Sequence, residues 1–306
     1  MTGAAATVAR PAISGLVRRL PEILMIWVPL LLSAAHLISF SIWTIWISFT
    51  PSTLVPVTGW VGLRNYTSVL SSRNWQIAFD NLLLFGSAFV LLSLITGLML
   101  AILLDQRIRG ENVLRSIFLY PLAVSFVVTG TVWSWLLNPG IGIEKLVHDL
   151  GWSSFHFDWL VNRDMAIWTI VIAAVWQSSG FAMALFLAGL RSVDGDIIKA
   201  AQIDGAGPVR TYWRVILPTL WPITVTVVVI QLQFAISAFD LVRALTNGGP
   251  GIATQLPALV VYDLMFQRGQ LGRGAAAAVL MLLILLAVLL PYAAWRYVQR
   301  QRVTHA

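Results

Sequence analysis

Ala275-Ala276-Ala277-Ala278-Val279-Leu280-Met281-Leu282-Leu283-Ile284-Leu285-Leu286-Ala287-Val288-Leu289-Leu290-Pro291-Tyr292-Ala293-Ala294 contains one polar side chain, Tyr292. About 20 apolar residues, at ~1.5 Å each, cross the ~30 Å hydrocarbon core of a bilayer as a helix. Five upstream runs have the same character: residues 23–49, 82–104, 116–137, 165–190 and 219–239. None of the six holds Lys, Arg, Asp or Glu. The expectation is an all-α membrane protein with six transmembrane helices.

The punctuation between the runs agrees. Asp105-Gln106-Arg107-Ile108-Arg109-Gly110-Glu111-Asn112 closes the second run and Asn138-Pro139-Gly140 the third. Asn247-Gly248-Gly249-Pro250-Gly251 follows the fifth. Such clusters break helices and form turns. The first run is too long for the apolar segment of a cleavable signal, and no small-residue cleavage site follows it, so it reads as a retained span. Trp43, Trp46, Trp133 and Trp135 lie toward run ends, where an interfacial aromatic belt belongs.

Composition points the same way. Over 306 residues, 58% are apolar and 11% charged, against about 25% charged in a soluble domain. There is no cysteine, which excludes disulfides, thiolate metal sites and thiol nucleophiles. The net charge of +7 sits in short clusters between apolar runs, without a basic stripe interleaved with aromatics, so no nucleic-acid partner is expected.

Those clusters set an orientation. Arg10, Arg18, Arg19, Arg107, Arg109, Arg115, Arg191, Lys199, Arg210, Arg214, Arg296, Arg300 and Arg302 fall on the side of the termini. Arg64, Arg73, Lys145, Arg163, Arg243, Arg268 and Arg273 fall on the other. The positive-inside bias predicts that both termini are cytoplasmic. The resulting organisation is a cytoplasmic tail (1–22), a first transmembrane helix (23–49), a core of five further transmembrane helices (50–296) with a cytoplasmic loop at 191–218, and a second tail (297–306).

Catalytic motifs are missing: no phosphate loop, no H-E-x-x-H and no G-x-S-x-G. His36, His148, His156 and His305 are scattered, and no metal site is expected. A lone histidine inside a span, as His36 is, more often bonds a neighbouring helix than binds metal. The spans also lack the ionisable residues that an ion-driven carrier keeps at mid-membrane, Asp240 lying only at an end. Energy for any transport must come from a partner.

The 191–218 loop carries the strongest signal. Asp196 is positioned to cap a short helix over 197–203, with Ala200 and Ala201 on its surface. Gly205 and Gly207 permit a tight turn and close approach, and Pro208 suits the first turn of a second helix. Such a helix either links spans along the interface or docks in a partner's groove.

Ala200, Ala201, Asp204, Gly205, Ala206, Leu217 and Pro218 stand at the spacing of the E-A-A-x-x-D-G-A…L-P loop, and the segment resembles that loop of binding-protein-dependent ABC importer permeases. Lys199 replaces the family's glutamate, which puts a carboxylate anchor on the ATPase in doubt but not the docking. Trp60-Val61-Gly62-Leu63-Arg64-Asn65-Tyr66 and Leu245-Thr246-Asn247-Gly248-Gly249-Pro250-Gly251 resemble stretches of the carbohydrate branch, in the maltose and glycerol-3-phosphate style. Leu104-Asp105-Gln106-Arg107-Ile108-Arg109 and Ala201-Gln202-Ile203-Asp204-Gly205-Ala206 look like permeases for glucose or mannose.

The resemblance implies a type I, MetI-like permease fold in the bacterial cytoplasmic (inner) membrane, without enzymatic activity. It implies a second homologous permease, two ATPase subunits that bind ATP and Mg, and an extracytoplasmic solute-binding protein. No cofactor is expected on this chain itself. The implied cargo is glucose or a related monosaccharide, with a glycoside, sugar alcohol or glycerol-linked sugar as the alternative. ATPase coupling falls on Ile198, Lys199, Ala200, Ala201, Asp204, Gly205, Ala206 and Gly207. Contact with the binding protein falls on Asn247, Gly248, Gly249, Pro250 and Gly251, and more weakly on 60–66. The implied sugar path runs along Leu122, Phe126, Gln177, Ser178, Phe181, Gln231 and Phe234. Amides can bind sugar hydroxyls as donor and acceptor, or instead bond neighbouring helices; both readings apply to Gln177, Gln231 and Gln233.

Overall fold

A computed structural model describes residues 13–106 and 109–304. Expectations for residues 1–12, Arg107, Ile108, His305 and Ala306 lie outside the described residues, as does the side chain of Ile198. Among the described residues there is no strand. The helices are α1 (Ile13–Ser48), α2 (Arg64–Leu70), α3 (Arg73–Asp105), α4 (Glu111–Leu119), α5 (Phe126–Leu136), α6 (Ile143–Asp149) and α7 (Ala166–Ser192). They continue as α8 (Gly195–Ile203), α9 (Pro208–Thr211), α10 (Leu217–Thr219), α11 (Trp221–Ile236), α12 (Phe239–Leu245), α13 (Pro257–Tyr262) and α14 (Leu271–Thr304).

Four helices are long and apolar enough to cross a bilayer: α1, α3, α7 and α14. The other two expected spans are each a bent pair. In the third, α4 with a 3₁₀ turn (Tyr120–Ala123) meets α5 at 98°. The expectation of one uninterrupted helix over 116–137 is corrected here. Pro121 has no N–H to continue the ladder, Val124 is extended, and the Ser125 side chain accepts from Val127 N to start a new helix. In the fifth, the segment ending at Thr219 meets α11 at 66°.

The bundle is built on α3 and α7, which pack along their length. A Cβ on Gly97 would lie 2.6 Å from Ala182 Cβ. Small residues at such a seam let backbones approach, which is how helices gain van der Waals contact when lipid removes the hydrophobic drive. One core cluster surrounds Phe85, Phe89, Ile170 and Leu241, and a second surrounds Leu104, Met183, Phe186 and Leu220. The helix α11 lies on α3, α12 lies on α5, and α1 lies on α14.

Burial differs sharply between spans. From Met25 to Trp43 every side chain of α1 is exposed. In α7, 61% of the most apolar window is buried within the chain. Among the described side chains, the polar and ring contacts that tie α1 to the loop after it lie at its end. Asn65 Nδ2 donates to Ser48 O and Thr50 O at 2.9 and 2.8 Å, Ser48 Oγ meets Tyr66 OH at 2.6 Å, and Trp60 stacks on Phe49. The 60–66 stretch therefore turns Asn65 inward as a clamp and leaves Trp60 and Leu63 exposed.

Candidate translocation path and coupling surface

The bend in the third span is held from α7. Gln177 Nε2 donates to Val124 O at 2.7 Å, supplying a partner to the carbonyl freed where the helix breaks. A Cβ on Gly180, one turn on, would collide with Phe118 O, so only glycine lets the α4 backbone pass there. Pro121 is buried at the crossing. Leu122 and Phe126, on either side of the break, are half-buried, and Phe126 packs on the first core cluster.

The expected path residues come partly together. The rings of Phe181 and Phe234 meet edge-on with centroids 6.3 Å apart. Gln177 and Ser178 are buried. Gln177 has Nε2 engaged by Val124, while its Oε1 is buried without a partner among the described residues. Gln231 is 0% exposed, and neither its Nε2 nor its Oε1 has a partner among the described residues. A buried amide left unpaired costs about 1–3 kcal/mol. Gln233 is exposed on the same helix.

At the α7 C-terminus the chain turns into α8. Asp194 caps this helix, accepting from Asp196 N at 2.9 Å, and the helix starts at Gly195. The expected cap at Asp196 is thus displaced by two residues: Asp196 points outward and pairs with Lys199 Nζ at 2.9 Å. The other end closes in a Schellman pattern. Ala206 N donates to Ala201 O and Gly205 N to Gln202 O, both at 3.0 Å, with Gly205 at φ +78°. The Asp-Gly-Ala stretch is a helix stop that holds α8 at a defined length.

The surface beyond that stop is open. Ala200, Asp204, Gly205 and Gly207 are exposed, and Ala201 and Ala206 are half-buried. Ile203 is 85% exposed and Val209 70%. Among the described residues α8 packs chiefly on α9 and the π turn Tyr212–Ile216. The sequence reading missed the anchor behind it. Arg191 reaches Glu111 at 2.6 Å and Asp105 at 3.8 Å, joining the ends of α7, α3 and α4. These residues lie too far apart in sequence for spacing to reveal them.

At the opposite end, the 247–251 loop is tied internally. Asn247, Gly248 and Gly251 have positive φ. Thr254 Oγ1 donates to Gly249 O at 2.7 Å, and Asn81 Nδ2 donates to Ala253 O and Gln255 O. Gly248 is turned inward against Leu259, Gly249 and Pro250 are half-buried, and Asn247 and Gly251 are exposed.

Apolar runs without charge, a bend held by a buried amide and an exposed capped helix describe a passage operated from outside: a membrane transport subunit. Residues 90–305 match the model of the binding-protein-dependent transport system inner membrane component. The chain belongs to that family. It is 37% identical, over 92% of its length and 98% of the relative's, to a probable ABC transporter permease protein of Pyrococcus horikoshii. It is also 37% identical to the xylose/arabinose import permease of Haloferax volcanii, covering 78% and 75% of the two chains. The fold matches a chain of a bacterial ABC transporter involved in import of the acidic polysaccharide alginate, with TM-score 0.72, 19% identity, and coverage of 92% and 99%.

Proposed function

We propose that this permease carries a monosaccharide, glucose or a close relative, and couples its passage to closure of two cytoplasmic ATPase subunits. The observation that carries the coupling is the α8–α9 turn: α8 is capped at both ends, and Ile203 at its last position and Val209 at the start of α9 stand in the open. Exposed apolar side chains on a fixed helix call for a partner groove. Residues 198–207 supply that contact, and Lys199, which stands where the family has a glutamate and pairs with Asp196, serves as a cationic rim. In this reading the termini and α8 are cytoplasmic, and the 247–251 loop meets the extracytoplasmic binding protein through Asn247 and Gly251. A second, homologous permease completes the pore, and ATP and Mg reside on the ATPase partners.

For the cargo, Gln231 is the group we place on the path, with Phe181, Phe234, Phe126, Leu122 and Ser178 as its walls. Its amide offers one donor pair and one acceptor with no competing partner among the described residues, the chemistry that sugar hydroxyls need. Gln177 acts one step back, by holding the bend. The xylose/arabinose relative supports a monosaccharide over a longer chain. The test is sugar uptake by the assembled transporter in proteoliposomes with a panel of radiolabelled sugars. Gln231→Ala is expected to lower monosaccharide flux at least tenfold while the complex assembles normally. Unchanged flux would return Gln231 to the role of helix packing.

A further inference from the structure

Residues 137–165 join α5 to α7 at the end of the bundle opposite α8, and they hold a side-chain cluster that passage through the bundle does not use. Glu144 and His148 are four residues apart on α6 and so share a face. The chain then returns and brings His156 to them. One ligand atom from each of the three lies within 4.8 Å of the other two. His156 Nδ1 is 3.4 Å from Glu144 Oε1, and the two imidazoles stand at 90° with centroids 6.1 Å apart.

Two features distinguish this cluster from a surface ion pair. The Glu144 side chain is only 12% exposed, and its Oε2 is buried without a partner among the described residues. A carboxylate oxygen so placed is costly unless a cation meets it. His148 Nε2 lies 2.6 Å from Phe155 O. A carbonyl only accepts, so Nε2 carries the hydrogen, and in the neutral ring Nδ1 is the nitrogen with a free lone pair. An imidazole that donates to a backbone carbonyl through one nitrogen is oriented to bind metal through the other.

We propose that Glu144, His148 and His156 form a binding site for a divalent transition metal, with zinc favoured by the donors. Nitrogen and oxygen ligands ~2.0–2.2 Å from a tetrahedral zinc stand roughly 3.3–3.5 Å apart, which is the His156–Glu144 spacing. The His156 side chain is 75% exposed and is free to close the remaining gap. Magnesium and calcium prefer all-oxygen shells, and copper(I) prefers sulfur. Bound metal would staple the returning segment to α6.

The experiment is a calorimetric titration of zinc chloride into the full chain, EDTA-stripped, in lipid nanodiscs and without a histidine tag. The expected result is one ion per chain, at least tenfold weaker in Glu144→Gln, His148→Asn and His156→Asn, and unaltered in His36→Asn. Cobalt(II) should give visible ligand-field bands that His156→Asn abolishes. Zinc should raise the melting temperature of wild type but not of the three variants, whose metal-free melting should match metal-free wild type; that match separates a lost site from a lost fold. No saturable binding, or equal binding by His156→Asn, overturns the proposal.

Discussion

The third and fifth spans are both broken, and they are broken in opposite ways. The 98° bend between α4 and α5 is over-determined: Pro121 interrupts the ladder, Ser125 restarts it, Gln177 satisfies Val124 O, and Gly180 makes room for Phe118 O. The 66° bend before α11 is packed on one side, where Leu220 and Ile223 close over Gly189. On its other side the chain continues through a π turn into α9 and the exposed α8. The first bend is held from within the chain, by Gln177 on Val124 O and by the close passage at Gly180. The second has a shape held by backbone caps and a surface left open. A buried amide in this molecule can therefore be scaffold, whereas its exposed glycines lie on the surface proposed to receive the ATPase.

The strongest way to break this comparison is at Gly180. Overpacking a core usually costs ~1–3 kcal/mol, but here the obstruction is the main-chain oxygen of Phe118, which no rotamer change removes. Gly180→Val should therefore exceed that range and lose the folded chain, read as a collapsed monodisperse peak in detergent chromatography. Gln177→Leu should cost less, about 1–3 kcal/mol, because it removes the partner of the half-buried Val124 O. Thermal unfolding in nanodiscs measures it. If stability holds and only sugar flux falls, Gln177 belongs to the path and not to the bend.

The sequence made the helices legible because charge-free runs of this length have few alternatives. It did not make the bends legible, since hydropathy carries no direction: 116–137 scores as one span whether or not it turns at Val124. Pro121 and Ser125 were the only local marks, and a proline near a helix start is as common as one at a break. The cap of α8 was misplaced for a similar reason. Asp194-Gly195-Asp196 offers two acids of equal capping ability, and only the structure shows that Asp196 is drawn to Lys199. The Arg191–Glu111–Asp105 node and the Glu144–His148–His156 cluster depend on chain returns that no spacing rule encodes. The 191–218 loop was readable because its signal is local, in a helix, a Schellman stop and a second helix within 25 residues.

The finest test sets two glycines of that loop against each other. Gly205 sits at φ +78° with open space around it, so a methyl group meets no atom but the backbone must hold a left-handed alanine. The cost is about 1–2 kcal/mol, concentrated at the end of α8 and visible as faster amide exchange in residues 200–206. Gly207 has no positive φ, and a Cβ there also meets nothing within 4 Å. Gly207→Ala should leave the isolated chain within about 0.5 kcal/mol of wild type. In the assembled transporter the same methyl enters the proposed contact, and ATP hydrolysis should proceed with reduced sugar uptake per ATP. Because the isolated chain offers no obstacle, any such uncoupling must come from the partner's surface. If uptake per ATP is unchanged in Gly207→Ala but falls in Gly205→Ala, the partner reads the shape of the helix stop and does not touch the residue after it.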